Sequence, residues 1–248
     1  MGSTPSVLFR QALASLPRGT PLTTQLLRDR GLTAKQVGRL AESGWLRRLG
    51  RGVYLLPGDE LNREATLAWL GTQVPGLHVA GKTALGWRGV RHNLAFKERL
   101  VLWGDAPARL PAWLTTAFPA TYQATHLFDD TLPPGLGLAP LPGGRSDVLV
   151  SAPERAMLEL LSDVGQGQGI EEARHLVEGT RSLRMDVLGT LLAHLKRIKV
   201  ARLAHSFAED LDLPWAGLAR RHSERLGGGK RWVSATKTGE RLNLKRPS

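Results

Sequence analysis

Thr20-Pro21-Leu22-Thr23-Thr24-Gln25-Leu26-Leu27-Arg28-Asp29-Arg30-Gly31 runs into Leu32-Thr33-Ala34-Lys35-Gln36-Val37-Gly38-Arg39-Leu40-Ala41-Glu42-Ser43-Gly44, and then into Trp45-Leu46-Arg47-Arg48-Leu49-Gly50-Arg51-Gly52-Val53-Tyr54-Leu55-Leu56-Pro57-Gly58. The pattern predicts a helix, a tight turn, a second helix and a two-stranded wing. Thr20 is placed to cap the first helix, with Pro21 at the first helical position, where its missing N–H costs nothing. Gly31 suits the left-handed residue that ends it. Thr33 and Gln36 have the spacing of a capping box at the start of the second helix. Val37, Leu40 and Ala41 share one helical face, which leaves Lys35, Gln36 and Arg39 largely on the other. Gly44 ends that helix. Residues 45–49 and 53–56 then suit short strands joined through Gly50-Arg51-Gly52.

A helix pair with so short a turn is a DNA-reading device whose second helix enters the major groove N-terminus first. Lys35, Gln36 and Arg39 fall near that N-terminus. Glutamine bonds adenine through two hydrogen bonds, and arginine or lysine does so with guanine. Arg47, Arg48 and Arg51 on the wing suit phosphates or the minor groove. The plainer alternative is a small helical domain with a solvated basic face.

Working outward, residues 7–16 predict a preceding helix, closed by Pro17-Arg18-Gly19, that completes a three-helix core. A first domain of residues 1–58 is expected, followed by a second of residues 59–248. In the second, residues 59–74 predict a helix broken at Pro75-Gly76. Residues 99–103, 121–128 and 146–150 predict strands in a sheet-containing part, residues 77–150, and residues 129–144 predict a loop. From Ser151, where Ser151 and Glu154 repeat the capping-box spacing around Pro153, helices are expected near 152–163, 170–178, 183–195, 197–209 and 214–225. That helical part spans residues 151–226. A basic tail, residues 227–248, predicts either a terminal hairpin anchored by Trp232 or a mobile end. The fold class expected is α+β: a winged helix-turn-helix, then a mixed sheet and a helical bundle.

The 248 residues carry a formal charge of +12. Residues 1–58 hold nine Lys/Arg against two Asp/Glu, residues 59–195 hold twelve against fifteen, and residues 196–248 hold thirteen against five. Positive charge is therefore concentrated at the two ends, as for a polyanion met in two places. Lys196, Arg197, Lys199 and Arg202 form a second candidate contact to the DNA backbone. There is no cysteine, which excludes disulfides and thiolate metal sites, and the seven histidines show no zinc-helix spacing. No apolar run is long enough to span a membrane, and no signal-peptide core opens the chain. A cytoplasmic protein without membrane, metal or cofactor is expected.

Gly76-Leu77-His78-Val79-Ala80-Gly81-Lys82-Thr83 matches a phosphate-loop pattern. That loop needs a strand before it, a helix after it and a magnesium-binding Asp on a partner strand. A helix ending in Pro75 precedes it here, and Asp105 is a poor partner, so Gly81-Lys82-Thr83 is read as a helix start. Asp147 and Glu154 are the residues that a metal-dependent nuclease would use, with nothing to fix their geometry.

Three stretches resemble the AbiEi-type antitoxins of bacterial abortive-infection toxin–antitoxin systems: residues 44–54, ending in Gly52-Val53-Tyr54; residues 80–90, Ala80-Gly81-Lys82-Thr83-Ala84-Leu85-Gly86-Trp87-Arg88-Gly89-Val90; and residues 150–156, Val150-Ser151-Ala152-Pro153-Glu154-Arg155-Ala156. Their order and spacing cover the chain from about 20 to about 165. The resemblance implies a winged-helix domain that binds repeats in its own promoter and represses the operon. It also implies a larger domain that counteracts a nucleotidyltransferase-like toxin, with direct contact between the two left open. It brings over no catalytic residue, so the expectation is a regulator and not an enzyme. A regulator with a partner- or effector-sensing domain and no toxin is the alternative, and a nuclease-like enzyme acting on DNA is the second.

Overall fold

The computed structural model describes residues 14–90, 99–226, 232–235 and 241–244. In chain order its elements are β1 (Leu22–Thr23), α1 (Thr24–Asp29), α2 (Ala34–Glu42), β2 (Arg47–Gly50), β3 (Val53–Leu55), α3 (Arg63–Gly71), β4 (His78–Val79), α4 (Gly81–Trp87), β5 (Leu100–Gly104), α5 (Ala112–Ala117), β6 (Ala120–Ala124), β7 (Leu138–Ala139), β8 (Val150–Ser151), α6 (Pro153–Asp163), α7 (Ile170–Glu178), α8 (Met185–Ala193), α9 (Ile198–Asp210), α10 (Ala216–Leu226), β9 (Trp232–Ala235) and β10 (Arg241–Leu244). The chain is α+β and divides into two compact units: residues 1–73 with 109–119, and residues 74–108 with 120–248.

The first unit is a winged helix. Leu22, Leu27, Leu32, Val37, Leu40, Leu46, Tyr54 and Leu56 bury one core with Leu16. Its small sheet has the order β1-β3-β2, antiparallel throughout. The first helix starts later than the sequence predicts. Leu22 and Thr23 pair with Tyr54 and Val53 as a strand, so Thr23, not Thr20, is the cap, its side chain accepting from the Leu26 N–H at 3.0 Å. Complete burial of Leu22 fixes that pairing. Most of the helix expected over residues 7–16 lies outside the described residues. The helix expected over 59–74 is shorter, 63–71, because Asn62 caps it through the Ala65 N–H at 2.9 Å. This unit also takes in α3 and α5, beyond the 1–58 expected of a first domain.

The second unit is built on a five-stranded mixed sheet of order β6-β5-β4-β8-β7. The β5–β6 and β4–β8 pairs are parallel, and β4–β5 and β7–β8 are antiparallel. The loop expected over 129–144 contributes the short strand β7, and the strand expected at 146–150 is only Val150–Ser151. Under the sheet, α4 and α6 meet around a buried carboxylate. Glu159 accepts from the Gly81 N–H at 3.1 Å, Ser151 Oγ at 2.8 Å and Arg155 Nε at 2.9 Å, with His78 Nε2 at 3.0 Å. Burial pushes this carboxyl up, but His78, Arg155 and Ser151 outweigh it and hold the group below its ordinary value.

Helices α6 to α10 follow within a few residues of the expected bounds. The second capping box does not form. Ala152 takes the cap position without a side-chain bond, because Ser151 bonds Glu159 and Glu154 is held by Arg184. The tail contains the antiparallel hairpin β9–β10, Trp232 opposite Leu244; the anchoring role expected of the Trp232 side chain lies outside what the structure describes.

Candidate nucleic-acid interface

Helix α2 is fixed at its start by the expected capping box. Gln36 Oε1 accepts from the Thr33 N–H at 2.8 Å and from Thr33 Oγ1 at 2.9 Å, and Thr33 Oγ1 accepts from the Gln36 N–H at 3.3 Å. Val37 and Leu40 are buried, while Lys35, Gln36 and Arg39 are exposed together. Gln36 differs from the other two: its amide oxygen is already engaged, so bonding both edges of an adenine requires it to leave the cap. Gly31 and Gly44 bound the helix at φ +83° and +78°, left-handed values that only glycine adopts freely.

The wing brings three further arginines to the surface of the same unit. Arg47, Arg48 and Arg51 are all exposed. Arg47 Nη2 donates to the Asp59 carbonyl at 3.1 Å, and Arg48 Nε donates to the Gly50 carbonyl at 3.4 Å. Asp59 is a small hub. Its carboxylate pairs with Arg18 and accepts from the Gly19 N–H at 2.7 Å, so it is not available to start α3. On the other side of the wing, the Gly52 carbonyl accepts from the Thr24 N–H at 3.0 Å and from Thr24 Oγ1 at 3.2 Å.

The second basic group does not form one exposed patch. Lys196 and Arg197 are exposed, Lys199 is half-buried and Arg202 is only 6% exposed. Lys199 Nζ donates to the carbonyls of Ser162 and Val164, and Arg197 Nη1 donates to Ser162 Oγ at 2.8 Å. The cause is the helix period: α9 turns Lys199 and Arg202 inward, and a cation at the carbonyl end of α6 is favoured there. Burial, with Arg197 beside it, lowers the Lys199 pKa.

The phosphate-loop residues are each bound internally. The carboxylate of Glu159 sits at the Gly81 N–H where a phosphate would. Lys82 pairs with Glu172 at 3.1 Å. Thr83 Oγ1 accepts from the Val101 N–H at 3.0 Å and donates to the Arg99 carbonyl at 3.3 Å. The nuclease candidates do not meet in a shared site. Asp147 is exposed and paired with Arg145 at 2.7 Å, whereas Glu154 is buried and held by both Arg184 Nε and Nη2, at 3.1 and 3.0 Å. Among the described residues no three His, Asp or Glu side chains are grouped to hold a metal ion, and no helix is long and apolar enough to cross a membrane.

Against known families, residues 7–96 match the N-terminal domain of the AbiEi antitoxin transcriptional regulators, and residues 97–245 match the transcriptional regulator described as the AbiEi antitoxin of a type IV toxin–antitoxin system. The chain belongs to the AbiEi antitoxin family. It is thereby a member of a family of transcriptional regulators and antitoxins. Among solved structures, this AbiEi-family chain is similar to the RV2827C protein from Mycobacterium tuberculosis, at 15% identity and a TM-score of 0.61, over 92% of this chain and 84% of that one. At that identity the likeness speaks for the fold. A search of the curated proteins found no match.

Three residues of this AbiEi-family chain take part in the wing geometry yet carry no local signal: Thr24, Asp59 and Trp113. A bond from Thr24 to Gly52 spans 28 positions and one from Arg47 to Asp59 spans 12. Only the tertiary fold reveals either.

Proposed function

We propose that this AbiEi-family antitoxin binds double-stranded DNA with α2 entering the major groove N-terminus first. Lys35 and Arg39 reach base edges there, Gln36 holds the helix start, and Arg47, Arg48 and Arg51 meet phosphates or the minor groove. The bound sites are repeats in its own promoter, so that binding represses its own operon. Its second activity counteracts a nucleotidyltransferase-like toxin. The DNA-reading domain is the winged-helix unit, residues 1–73 with 109–119, and residues 74–108 with 120–248 carry the antitoxin activity.

One observation supports the DNA reading above the rest. The start of α2 is held by reciprocal side-chain bonds while two cations on the same turns face solvent. A solvated helix needs no such fixed orientation, whereas a helix that must align with base edges gains from it.

A gel-shift titration tests the proposal. The probe is the duplex upstream of the gene, with a shuffled duplex as competitor, at two salt concentrations. The expected result is preferential binding that weakens with salt. Arg39→Ala is expected to lower affinity for the cognate duplex by about 1–3 kcal/mol and to affect the shuffled one less. Arg47→Ala and Arg48→Ala are expected to weaken both equally and to reduce the salt slope by up to about one per lost phosphate contact. Unchanged binding in all three variants defeats the assignment. Rescue of growth on co-expression with the neighbouring toxin gene tests the second activity separately.

A further inference from the structure

We infer that Trp113, on α5, is a positioning residue for the DNA-binding wing. The inference rests on the proposed DNA reading and adds to it the device that sets the wing. Trp113 lies within the stretch matched to the second family model, 97–245, yet it packs in the winged-helix unit. The segment 109–119 leaves the chain between two strands of the C-terminal sheet and joins the first unit.

The contact falls on the wing backbone. A Cβ on Gly50 would come within 3.3 Å of Trp113 Nε1 and 3.4 Å of Trp113 Cδ1, so a side chain there would push the indole back by a few tenths of an ångström. Gly50 ends β2, and its carbonyl is the one that receives Arg48 Nε. The strand register slips between Arg48 and Gly50, a bulge that re-aims the side chains beside it. The tip Gly50-Arg51-Gly52 is therefore held from two sides. Trp113 lies against Gly50, and Thr24 bonds the Gly52 carbonyl through both its N–H and its hydroxyl.

The indole is half-buried and packs on a second ring. Its ring stands 5.1 Å from that of Trp69 on α3, with the planes tilted by 54°, and its neighbour Leu114 is 1% exposed. A three-residue tip with glycine at both ends samples many conformations when unsupported. Ordering such a tip on DNA subtracts from affinity, and ordering it beforehand removes that loss. Trp113 and Thr24 supply the prior ordering, and Arg48 and Arg51 are the side chains that benefit.

The test uses the full chain with Trp113→Ala and Trp113→Phe, first without DNA. Amide hydrogen exchange over residues 48–53 is expected to speed up about tenfold in the alanine variant, with α2 and α6 unchanged. The phenylalanine variant restores most of the protection. In gel shifts on the promoter duplex the alanine variant is expected to bind several-fold more weakly, with a salt slope smaller by about one to two as the wing arginines lose their phosphates. Unchanged wing exchange in Trp113→Ala overturns the inference. So does faster wing exchange with wild-type DNA affinity. If α2 loses protection along with the wing in both variants, Trp113 is a core residue of the whole unit, and the positioning role is likewise overturned. A wild-type chain that ignores the promoter duplex instead defeats the DNA reading itself.

Discussion

Gln36 and Arg39 sit one helical turn apart and do different work. The glutamine amide closes the cap on Thr33, and the arginine faces solvent. Gln36→Glu separates the two roles. Glutamate at this position serves the capping box equally well and suits the positive end of the helix dipole. The variant is therefore expected to melt within about 0.5 kcal/mol of wild type in urea. It also sets a negative charge at the end of α2 that we propose approaches DNA. Binding to cognate and shuffled duplexes is expected to fall about tenfold or more at low salt. Undiminished binding would mean that this end of α2 faces away from DNA. A second residue gives a pH prediction. Burial pushes the Asp163 carboxyl up to about 6, against the Gln123 bond at 2.6 Å and the cations of Lys199 and Arg197. A carboxyl raised in the folded state holds its proton where the unfolded chain has lost it. Stability contributed by Asp163 is thus present below its ordinary value of 3.8 and declines as pH rises to about 6. Asp163→Asn keeps the oxygen that accepts from Gln123 and carries no charge. Thermal melts are expected to show it a few degrees more stable than wild type at pH 7, with the gain gone by pH 4. A gain of the same size at both pH values would exclude ionisation as its source.

At the scale of elements, α2 and α6 carry the same cap spacing and behave differently. At Thr33 and Gln36 the local signal wins and the box closes. Thr33→Ala is expected to cost roughly 1 kcal/mol in urea unfolding. A null effect would mean that the packing of Val37 and Leu40 alone holds the helix. At α6 the residues at the same spacing are claimed by other partners: Ser151 by Glu159, 8 positions on, and Glu154 by the Arg184 side chain and N–H, 30 positions away. No window of local sequence contains the Arg184 half of that competition. The contrast explains what was legible. Helix pair, wing and all five C-terminal helices follow from period, glycine and proline signals spanning a dozen residues or so. Strands β7 and β8 have two residues each and exist only through their pairing, so they leave no period to read. The first helix starts later than its sequence predicts for the same reason, since Leu22–Thr23 is a strand only because β3 lies beside it. In the candidate interface the exposed cations were legible as charge on a helical face. The inward turn of Lys199 and Arg202 was not, because a run of basic residues says nothing of which neighbours α9 meets.

For the whole molecule, the consequential fact is that the two units are not consecutive in sequence. Strands β5 and β6 pair in parallel, Leu100 with Ala120 through Gly104 with Ala124. A parallel pair needs a crossover long enough to return to the start of the neighbouring strand, commonly a helix packed on the same sheet. In this chain residues 109–119 of that crossover belong to the winged-helix unit. A single cut after residue 73 therefore does not yield a self-contained C-terminal fragment. It strands Trp113 and the deeply buried Leu114 without the core that covers them, and an uncovered apolar segment of that kind promotes association. The fragment 74–248 is expected to bind a hydrophobic dye and to aggregate on concentration. The same fragment with residues 109–119 replaced by eleven Gly and Ser residues is expected to stay monomeric. The replacement must be of comparable length, because the crossover has to retrace a five-residue strand, roughly 17 Å. Light scattering and dye fluorescence on the two fragments decide the matter. If both are equally well behaved, 109–119 is not part of the first unit's core. If the repaired fragment alone is soluble and still protects cells from the toxin, the antitoxin activity resides in residues 74–108 with 120–248, and the wing-bearing unit serves only the promoter.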